Sequence, residues 1–188
     1  MTSNLWWILY LSWILSEILI LVLTRTRSGS GRVHDRNSLR ILWLVLVASV
    51  TASQWVGAVN LPNLFGGAHW LKIATLLVMI VGLAIRWTAV ISLGKAFSAN
   101  VAILETQTVK TSGLYRFVRH PSYLGLLLIL AAVGLHTRNW LAFGIAVIPT
   151  TAALLYRIHV EEAALNSAFG DEYAAYSKRT KRLIPGVL

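Results

Sequence analysis

Long apolar runs alternate with short polar and basic segments along this chain. Three runs in the first half have about the twenty residues that a helix needs to cross a bilayer. A shorter run and another long one follow in the second half. The pattern predicts five membrane-spanning helices, at Leu5–Leu23, Leu39–Val59, Trp70–Ile91, Tyr123–Leu135 and Trp140–Leu155.

The spans organise the chain as a single all-α domain. Three spans occupy residues 1–91, a cytosolic segment 92–122, a helical hairpin 123–155 and cytosolic C-terminal helices 156–188. The segment 152–168 is rich in Ala and Leu without Pro or Gly, so the fifth helix should continue beyond the membrane. We expect Gly170 as its C-cap, and Asp171 as the N-cap of a last helix over Glu172–Lys181.

Charge predicts the orientation of the spans. The segment 24–40 carries five arginines against Asp35, and such an excess marks a cytoplasmic segment. The N-terminus is therefore expected outside and the C-terminus inside. No basic region precedes the first apolar run, which indicates a retained helix and not a cleaved signal. The aromatic residues that open this run are typical of an interfacial belt: Trp6, Trp7, Tyr10 and Trp13.

Composition narrows the class of protein. Of 188 residues, 56% are hydrophobic and only 13% charged, which indicates an integral membrane protein. Although the net charge is +10, the basic residues lie between apolar spans, so membrane lipids and not nucleic acid are the expected partners. Without cysteine the chain has no disulfide or thiolate nucleophile. We expect no metal site, and the sequence leaves the oligomeric state open.

Two opposite charges interrupt the apolar spans. Glu17 and Arg86 both lie in the inner third of their spans, about 8–9 Å from the predicted inner ends at 1.5 Å per residue. Since an isolated charge at that depth is costly, matched depth and opposite sign predict a buried pair. The pair is either structural or orients the polar head of a substrate.

Two polar clusters are predicted on the inner face, at the two ends of the hairpin. The first contains aromatic and basic residues: Tyr115, Arg116, Arg119, His120 and Tyr123. The second has Arg157, Glu161 and Glu162, with Tyr173 and Tyr176 beyond. Arg157 and Glu161 can pair at i,i+4, whereas Glu162 points about 100° away. Together the clusters offer the cations, carboxylates and aromatic faces that a zwitterionic, adenine-bearing ligand needs.

These residues carry a family resemblance. The stretch Gly113–Gly125 (GLYRFVRHPSYLG), the element Arg157-x3-Glu161-Glu162 and the run Phe169–Tyr176 resemble the isoprenylcysteine carboxyl methyltransferase family. The resemblance spans about Leu93–Pro185. The Arg-His-Pro-x-Tyr element alone is also similar to phospholipid N-methyltransferases, small-thiol methyltransferases and sterol reductases.

The resemblance implies S-adenosylmethionine as cofactor and an active site at the cytoplasmic ends of the last two spans. The cofactor pocket would then contain residues of both clusters: Tyr115, Arg119, His120, Pro121, Tyr123, Leu124, Gly125, Glu161 and Glu162. No glycine-rich loop follows a strand, so the soluble Rossmann-type architecture is not expected.

The acceptor implied by the resemblance is the carboxylate of a prenylated cysteine or a similar lipophilic carboxylate, entering sideways from the bilayer. Such a nucleophile is already ionised, and an arginine should hold it, Arg157 first and Arg86 second. Two alternatives stay open. One is methylation of a phospholipid amine or small lipophilic acceptor, where Glu161 or Glu162 would act as base. The other is a membrane scaffold without catalysis.

Overall fold

The computed structural model describes residues 2–24, 32–33, 37–59, 69–94, 97, 102–103, 108–184 and 186. Within them lie six α-helices: α1 (Thr2–Thr24), α2 (Asn37–Ala58), α3 (His69–Leu93), α4 (Pro121–His136), α5 (Trp140–Phe169) and α6 (Asp171–Arg179). A 3₁₀ helix covers Gly113–Arg116, and β1 (Arg32–Val33) pairs antiparallel with β2 (Ala102–Ile103). The predicted all-α class is confirmed, with this two-residue ladder as its small exception in the described part.

Four of the described helices, α1, α2, α3 and α5, are long and apolar enough to cross a membrane. The fourth predicted span, Tyr123–Leu135, corresponds to α4, whose 16 residues extend about 24 Å and fall short of a full hydrocarbon core. Large apolar side chains such as Leu44, Ile91 and Ile148 stay exposed around the bundle. A water-soluble domain rarely leaves so much apolar surface open, so the fold is that of a multi-pass membrane protein.

The aromatic residues at the start of α1 differ in part from the predicted interfacial belt. Trp6 and Trp13 are buried in the helical core, whereas Trp7 is exposed. Positions 6 and 13 lie two turns apart on one helix face, which is the face that α1 turns toward the bundle. Residues that read as membrane anchors therefore serve partly as core.

Two glycines bring α3 and α4 into close contact. A Cβ on Gly125 would lie 2.7 Å from the backbone nitrogen of Arg86 and from the carbonyl oxygen of Gly82. A Cβ on Gly82 would lie 2.9 Å from the carbonyl oxygen of Gly125. Small residues of this kind allow membrane helices to pack backbone against backbone. The contact fixes the N-terminal end of α4 beside Arg86.

The ends of α4 and α5 follow the sequence signals closely. Pro121 is the first residue of α4, and His120 before it has non-helical dihedrals (φ −122°, ψ 58°). The helix α5 continues unbroken for 30 residues to Gly170, whose φ of +51° ends it as predicted. The predicted N-cap of α6 is wrong: Gly170 takes that position too, and Asp171 lies in the first helical turn.

Several sequence features that predicted the orientation fall outside the described residues. They include most of the basic segment, at 25–31 and 34–36, and the loop 60–68. The assignment of the N-terminus to the outside therefore stays a prediction.

Candidate active site

Arg157 and Glu161 form the centre of a buried ionic cluster. Arg157 Nε donates to Glu161 Oε1 at 3.1 Å, as their i,i+4 spacing predicts, and to the Tyr123 hydroxyl at 3.4 Å. The Tyr123 hydroxyl itself donates to Glu161 Oε1. From α2, the Ser38 hydroxyl accepts from Arg157 Nη1 at 2.6 Å. Arg157 is 1% exposed, so α2, α4 and α5 together hold one buried guanidinium.

Glu162 faces away from Arg157 and binds a different pair of arginines. Arg119 Nε donates to Glu162 Oε1 at 2.8 Å, and Arg182 Nε donates to Glu162 Oε2 at 2.9 Å. The prediction that only one of the two adjacent glutamates pairs with Arg157 is confirmed. The two carboxylates therefore connect α5 to the loop before α4 and to the C-terminal segment.

His120 lies between the two glutamates. Its Nδ1 is 3.4 Å from Glu161 Oε2, and its Nε2 is 3.5 Å from Glu162 Oε1. Burial by itself lowers the pKa of His120, but the two carboxylates outweigh it, so the pKa is raised above its ordinary value. The imidazole ring also stacks on Tyr123, with 5.7 Å between ring centroids. A protonated His120 adds a cation to a cluster that already holds three arginines.

A C-terminal strap, which we define as residues 180–183, crosses the loop before α4. The backbone nitrogens of Arg119 and His120 donate to the carbonyl oxygens of Lys181 and Arg182, at 2.8 and 3.0 Å. Arg119 Nη1 also donates to the carbonyls of Ser177 and Thr180. Leu183 anchors the strap in the core at 1% exposure. The strap therefore fixes the backbone that presents His120.

Tyrosines of α6 and the 3₁₀ helix close the same side. The Tyr176 hydroxyl donates to the carbonyl oxygen of Tyr115 at 2.6 Å, and the Tyr115 hydroxyl donates to the carbonyl oxygen of Ala89 in α3. Burial raises the pKa of both tyrosines, and Glu161 adds to the increase at Tyr115. Their hydroxyls therefore stay neutral hydrogen-bond donors.

Glu17 and Arg86 form the predicted buried pair. Both carboxylate oxygens of Glu17 accept from Arg86, at Nε and at Nη2. Arg86 Nη1 donates at 3.0 Å to both the carbonyl and the hydroxyl of Ser122, next to Pro121. Trp13 Nε1 donates to Glu17 Oε1 at 3.1 Å. The pair joins α1 and α3 to the first turn of α4.

A cavity runs between this pair and the ionic cluster. Its polar wall includes six of the residues predicted from the sequence: Arg86, Tyr115, Arg119, His120, Tyr123 and Glu161. Tyr173 and Tyr176 of α6 line it as well. Its apolar lining includes residues of α1 and α2, namely Ile20, Leu21, Leu42, Trp43 and Leu46. One cavity therefore offers both charged and apolar side chains.

Other residues of the predicted site lie elsewhere. Pro121, Leu124 and Gly125 are absent from the described cavity lining, as are Arg157 and Glu162. Gly125 lies in the α3–α4 contact, where a cofactor atom has no space. Arg157 and Glu162 instead contact residues that line the cavity, Tyr123 and Glu161 for the first and Arg119 for the second. Among the described residues, no His, Cys, Asp and Glu side chains gather as a metal site.

Sequence reasoning missed three contributors. Ser38 contacts Arg157 across 119 positions, and Ser122 supports Arg86 across 36. Arg182 reads in the sequence as part of a basic tail, yet it binds Glu162. No local pattern distinguishes these residues from ordinary surface serines and arginines.

The fold and site together define a multi-pass membrane protein with a buried ionic cluster beside a cavity of charged and apolar lining. The model of the isoprenylcysteine carboxyl methyltransferase family matches residues 74–167, which include the α3–α4 contact and both glutamates. The chain belongs to the isoprenylcysteine carboxyl methyltransferase family.

Individual relatives agree. The chain is 30% identical over 119 residues to protein-S-isoprenylcysteine O-methyltransferase of Tribolium castaneum, covering 62% of this chain and 42% of the relative. It is 31% identical over 120 residues to protein-S-isoprenylcysteine O-methyltransferase A of Arabidopsis thaliana, covering 63% and 61%. It is also 42% identical over 76 residues to methanethiol S-methyltransferase 1 of Bradyrhizobium diazoefficiens, covering 40% and 26%.

A solved structure shows the same arrangement of helices. The eukaryotic intramembrane Ras methyltransferase ICMT superposes with a TM-score of 0.66 at 26% identity, covering 77% of this chain and 52% of that one. The chain thus spans only a quarter to three fifths of the length of the curated relatives described here.

Proposed function

We propose that this protein is an S-adenosylmethionine-dependent membrane methyltransferase that esterifies the carboxylate of a prenylated cysteine or a similar lipophilic carboxylate. Family membership supports methyl transfer. The cavity supports the rest, because its charged lining residues suit a polar cofactor and its apolar lining residues suit a lipid chain. We place the site on the cytoplasmic face, as the charge pattern of the sequence predicts.

The described residues fit such a cofactor. The Tyr173 hydroxyl is buried beside the cavity and makes no hydrogen bond to any described residue, and His120 Nε2 has only the long 3.5 Å contact to Glu162 Oε1. Buried polar atoms usually have a partner, so both groups suit a bound polar ligand. Three arginines and His120 surround two glutamates, which leaves a surplus of positive charge for an anionic group.

In this proposal, the cofactor is held by Arg119, His120 and Glu161, with Tyr115 and Tyr123 as aromatic walls. Pro121, Leu124 and Gly125 belong to the start of α4, directly after His120, and Glu162 holds Arg119 in place. When bound, S-adenosylmethionine supplies an electrophilic methyl group on a sulfonium. The protein's own task is then to bind, orient and dehydrate the acceptor.

One observation favours a carboxylate acceptor above an amine or a thiol. The carboxylates that line the described cavity are both paired with arginine, Glu17 with Arg86 and Glu161 with Arg157. The pKa of His120 is raised by Glu161 and Glu162 despite burial, which favours the protonated ring over the neutral form that could accept a proton. An amine or thiol needs a base to take its proton, and these groups are poorly suited to accept one. A carboxylate is already ionised and needs none.

Arg86 is the better candidate to hold the acceptor carboxylate, which reverses the order expected from the sequence. It lines the cavity, whereas Arg157 does not appear in the described lining. Of the five N–H donors of its guanidinium, four are used by Glu17 and Ser122, which leaves one by count within the described residues. Arg157 then acts as a positioning residue for Tyr123 and Glu161.

The test is methyl transfer from radiolabelled S-adenosylmethionine by the purified chain in detergent. N-acetyl-farnesylcysteine should be labelled, and mild alkali should release the label as methanol because the product is an ester. Phosphatidylethanolamine is the parallel acceptor. Alkali-stable label in that lipid, with none in farnesylcysteine, would replace the carboxylate proposal with N-methylation. Labelling of neither, together with no cofactor binding, would favour a non-catalytic scaffold.

A small thiol is the second candidate acceptor. The methanethiol S-methyltransferase of Bradyrhizobium diazoefficiens has the highest identity of the relatives described, at 42%, although over 76 residues only. A thiol ionises more readily than an amine, so a weak base would suffice. Methanethiol should therefore be included in the acceptor panel. Preferential methylation of methanethiol would mean that the cavity holds a small thiol and not a prenylated carboxylate.

A further inference from the structure

A second cavity lies at the opposite end of the helices from the ionic cluster. It is lined by Trp6 of α1, Lys72 and Thr75 of α3, His136 at the end of α4 and Arg138 in the following turn. Lys72 and Arg86 are fourteen positions apart on α3, which separates their backbones by about 21 Å along the helix axis. The cavity is therefore distinct from the candidate active site and plays no part in the proposed reaction.

The lining of this second cavity carries positive charge without a matching carboxylate. Lys72 and Arg138 are cationic, and no Asp or Glu is among the described residues of the lining. The described carboxylates all lie toward the end of the bundle that holds the ionic cluster: Glu17, Glu161, Glu162, Asp171 and Glu172. Two cations converging on one space repel each other unless an anion joins them.

The backbone and the floor of the cavity also point to a ligand. Arg138 has a φ of +57°, a left-handed conformation that glycine or asparagine adopts more easily than arginine. Trp6 is 1% exposed, and its indole N–H has no hydrogen-bond partner among the described residues. The ring stacks on His136 with 3.9 Å between centroids, which holds the indole in place.

We propose that this cavity binds a phosphate-type oxyanion, with Lys72 and Arg138 as its charge partners and the Trp6 N–H as a further donor. Arginine and lysine are the side chains that bind phosphate most often, and an indole N–H only donates. The oxyanion comes either from a phospholipid headgroup at this end of the spans or from free phosphate. The chemistry is the same, and experiment separates the two sources.

The test uses the purified full chain in detergent and native mass spectrometry. Phosphatidylglycerol should stay bound at one copy per chain, whereas diacylglycerol with the same acyl chains should not. If inorganic phosphate alone raises the unfolding temperature and displaces the lipid, free phosphate is the source. If inorganic phosphate neither raises the unfolding temperature nor displaces the bound lipid, the lipid headgroup is the source. Failure of both phosphatidylglycerol and phosphate to bind would overturn the proposal.

Variants locate the site. Lys72→Gln and Arg138→Gly should each weaken binding about tenfold or more, the loss expected for one charge-assisted contact. Arg138→Gly also relaxes the left-handed position, so the unliganded variant should unfold at the same temperature or higher. Lys178→Gln removes an exposed cation at the other end and should bind as the unmodified chain does. An equal loss of binding affinity in Lys178→Gln would mean that general surface charge causes the binding, and it would contradict a site at Lys72 and Arg138.

Discussion

Arg86 of α3 donates from two of its nitrogens to the two carboxylate oxygens of Glu17 in α1, across 69 positions of sequence. Both side chains are buried, and both line the cavity of the candidate active site. The helix α1 also packs on α3, and its Trp6 stacks on His136 of α4. The pair therefore both attaches the first helix and orients the arginine that we assign to the acceptor.

Breaking this pair from one side should be costly. Glu17→Gln leaves the Arg86 cation without its counter-charge in a buried position, and we expect a loss of about 3 kcal/mol in unfolding free energy. The double variant Glu17→Gln, Arg86→Gln should recover part of that loss because it buries no unpaired charge. Chemical unfolding of all variants in one detergent measures the coupling. Strictly additive losses would mean that the two side chains do not stabilise one another.

Gly125 should be sensitive to an added methyl group for a reason unrelated to the cofactor. The new Cβ in Gly125→Ala would meet backbone atoms of α3 at 2.7 Å, so we expect a loss of about 1–3 kcal/mol in unfolding free energy. Gly144→Ala in α5 is the matched control, since its Cβ would meet Ile148 at an ordinary 3.7 Å. Thermal unfolding compares the two, and equal tolerance would contradict the close helix contact.

Stability should depend on pH through His120. Because the folded-state pKa is raised above the unfolded value, the protonated ring stabilises the fold fully below the unfolded pKa of about 6.5. That contribution is lost as the pH rises through the folded pKa. The difference in unfolding free energy between the unmodified chain and His120→Gln should therefore shrink from acid to alkaline pH. A difference that grows with pH would mean that the ring is buried neutral.

The sequence was sufficient to predict contacts within one helix and the pairing of two charges at the same depth in the membrane. The i,i+4 pair of Arg157 and Glu161 follows from helical geometry, and the pairing of Glu17 with Arg86 follows from charge burial. It could not show that Ser38 reaches Arg157, because periodicity gives the faces of helices and not their neighbours. Nor could it show that Arg182 returns to Glu162, since that depends on how α6 folds back.

The strap should control the backbone beside His120. Leu183→Ala removes a buried anchor, which should release the strap and speed hydrogen exchange at the backbone amides of Arg119 and His120. Ile184→Ala is the neighbouring control, because that side chain is 39% exposed. Exchange at both amides should stay slow in the control. Unchanged exchange in Leu183→Ala would show that the strap does not depend on this anchor.

The most direct test of the central claim is isothermal titration of S-adenosylmethionine into the purified chain and two carboxylate variants. Glu162→Gln removes the partner of Arg119 and Arg182, and it should weaken binding about tenfold or more while the protein stays folded. Glu172→Gln changes an exposed carboxylate of α6 and should bind like the unmodified chain. Absence of binding to the unmodified chain, or equal affinity in Glu162→Gln, would contradict the assignment of this ionic cluster to the cofactor.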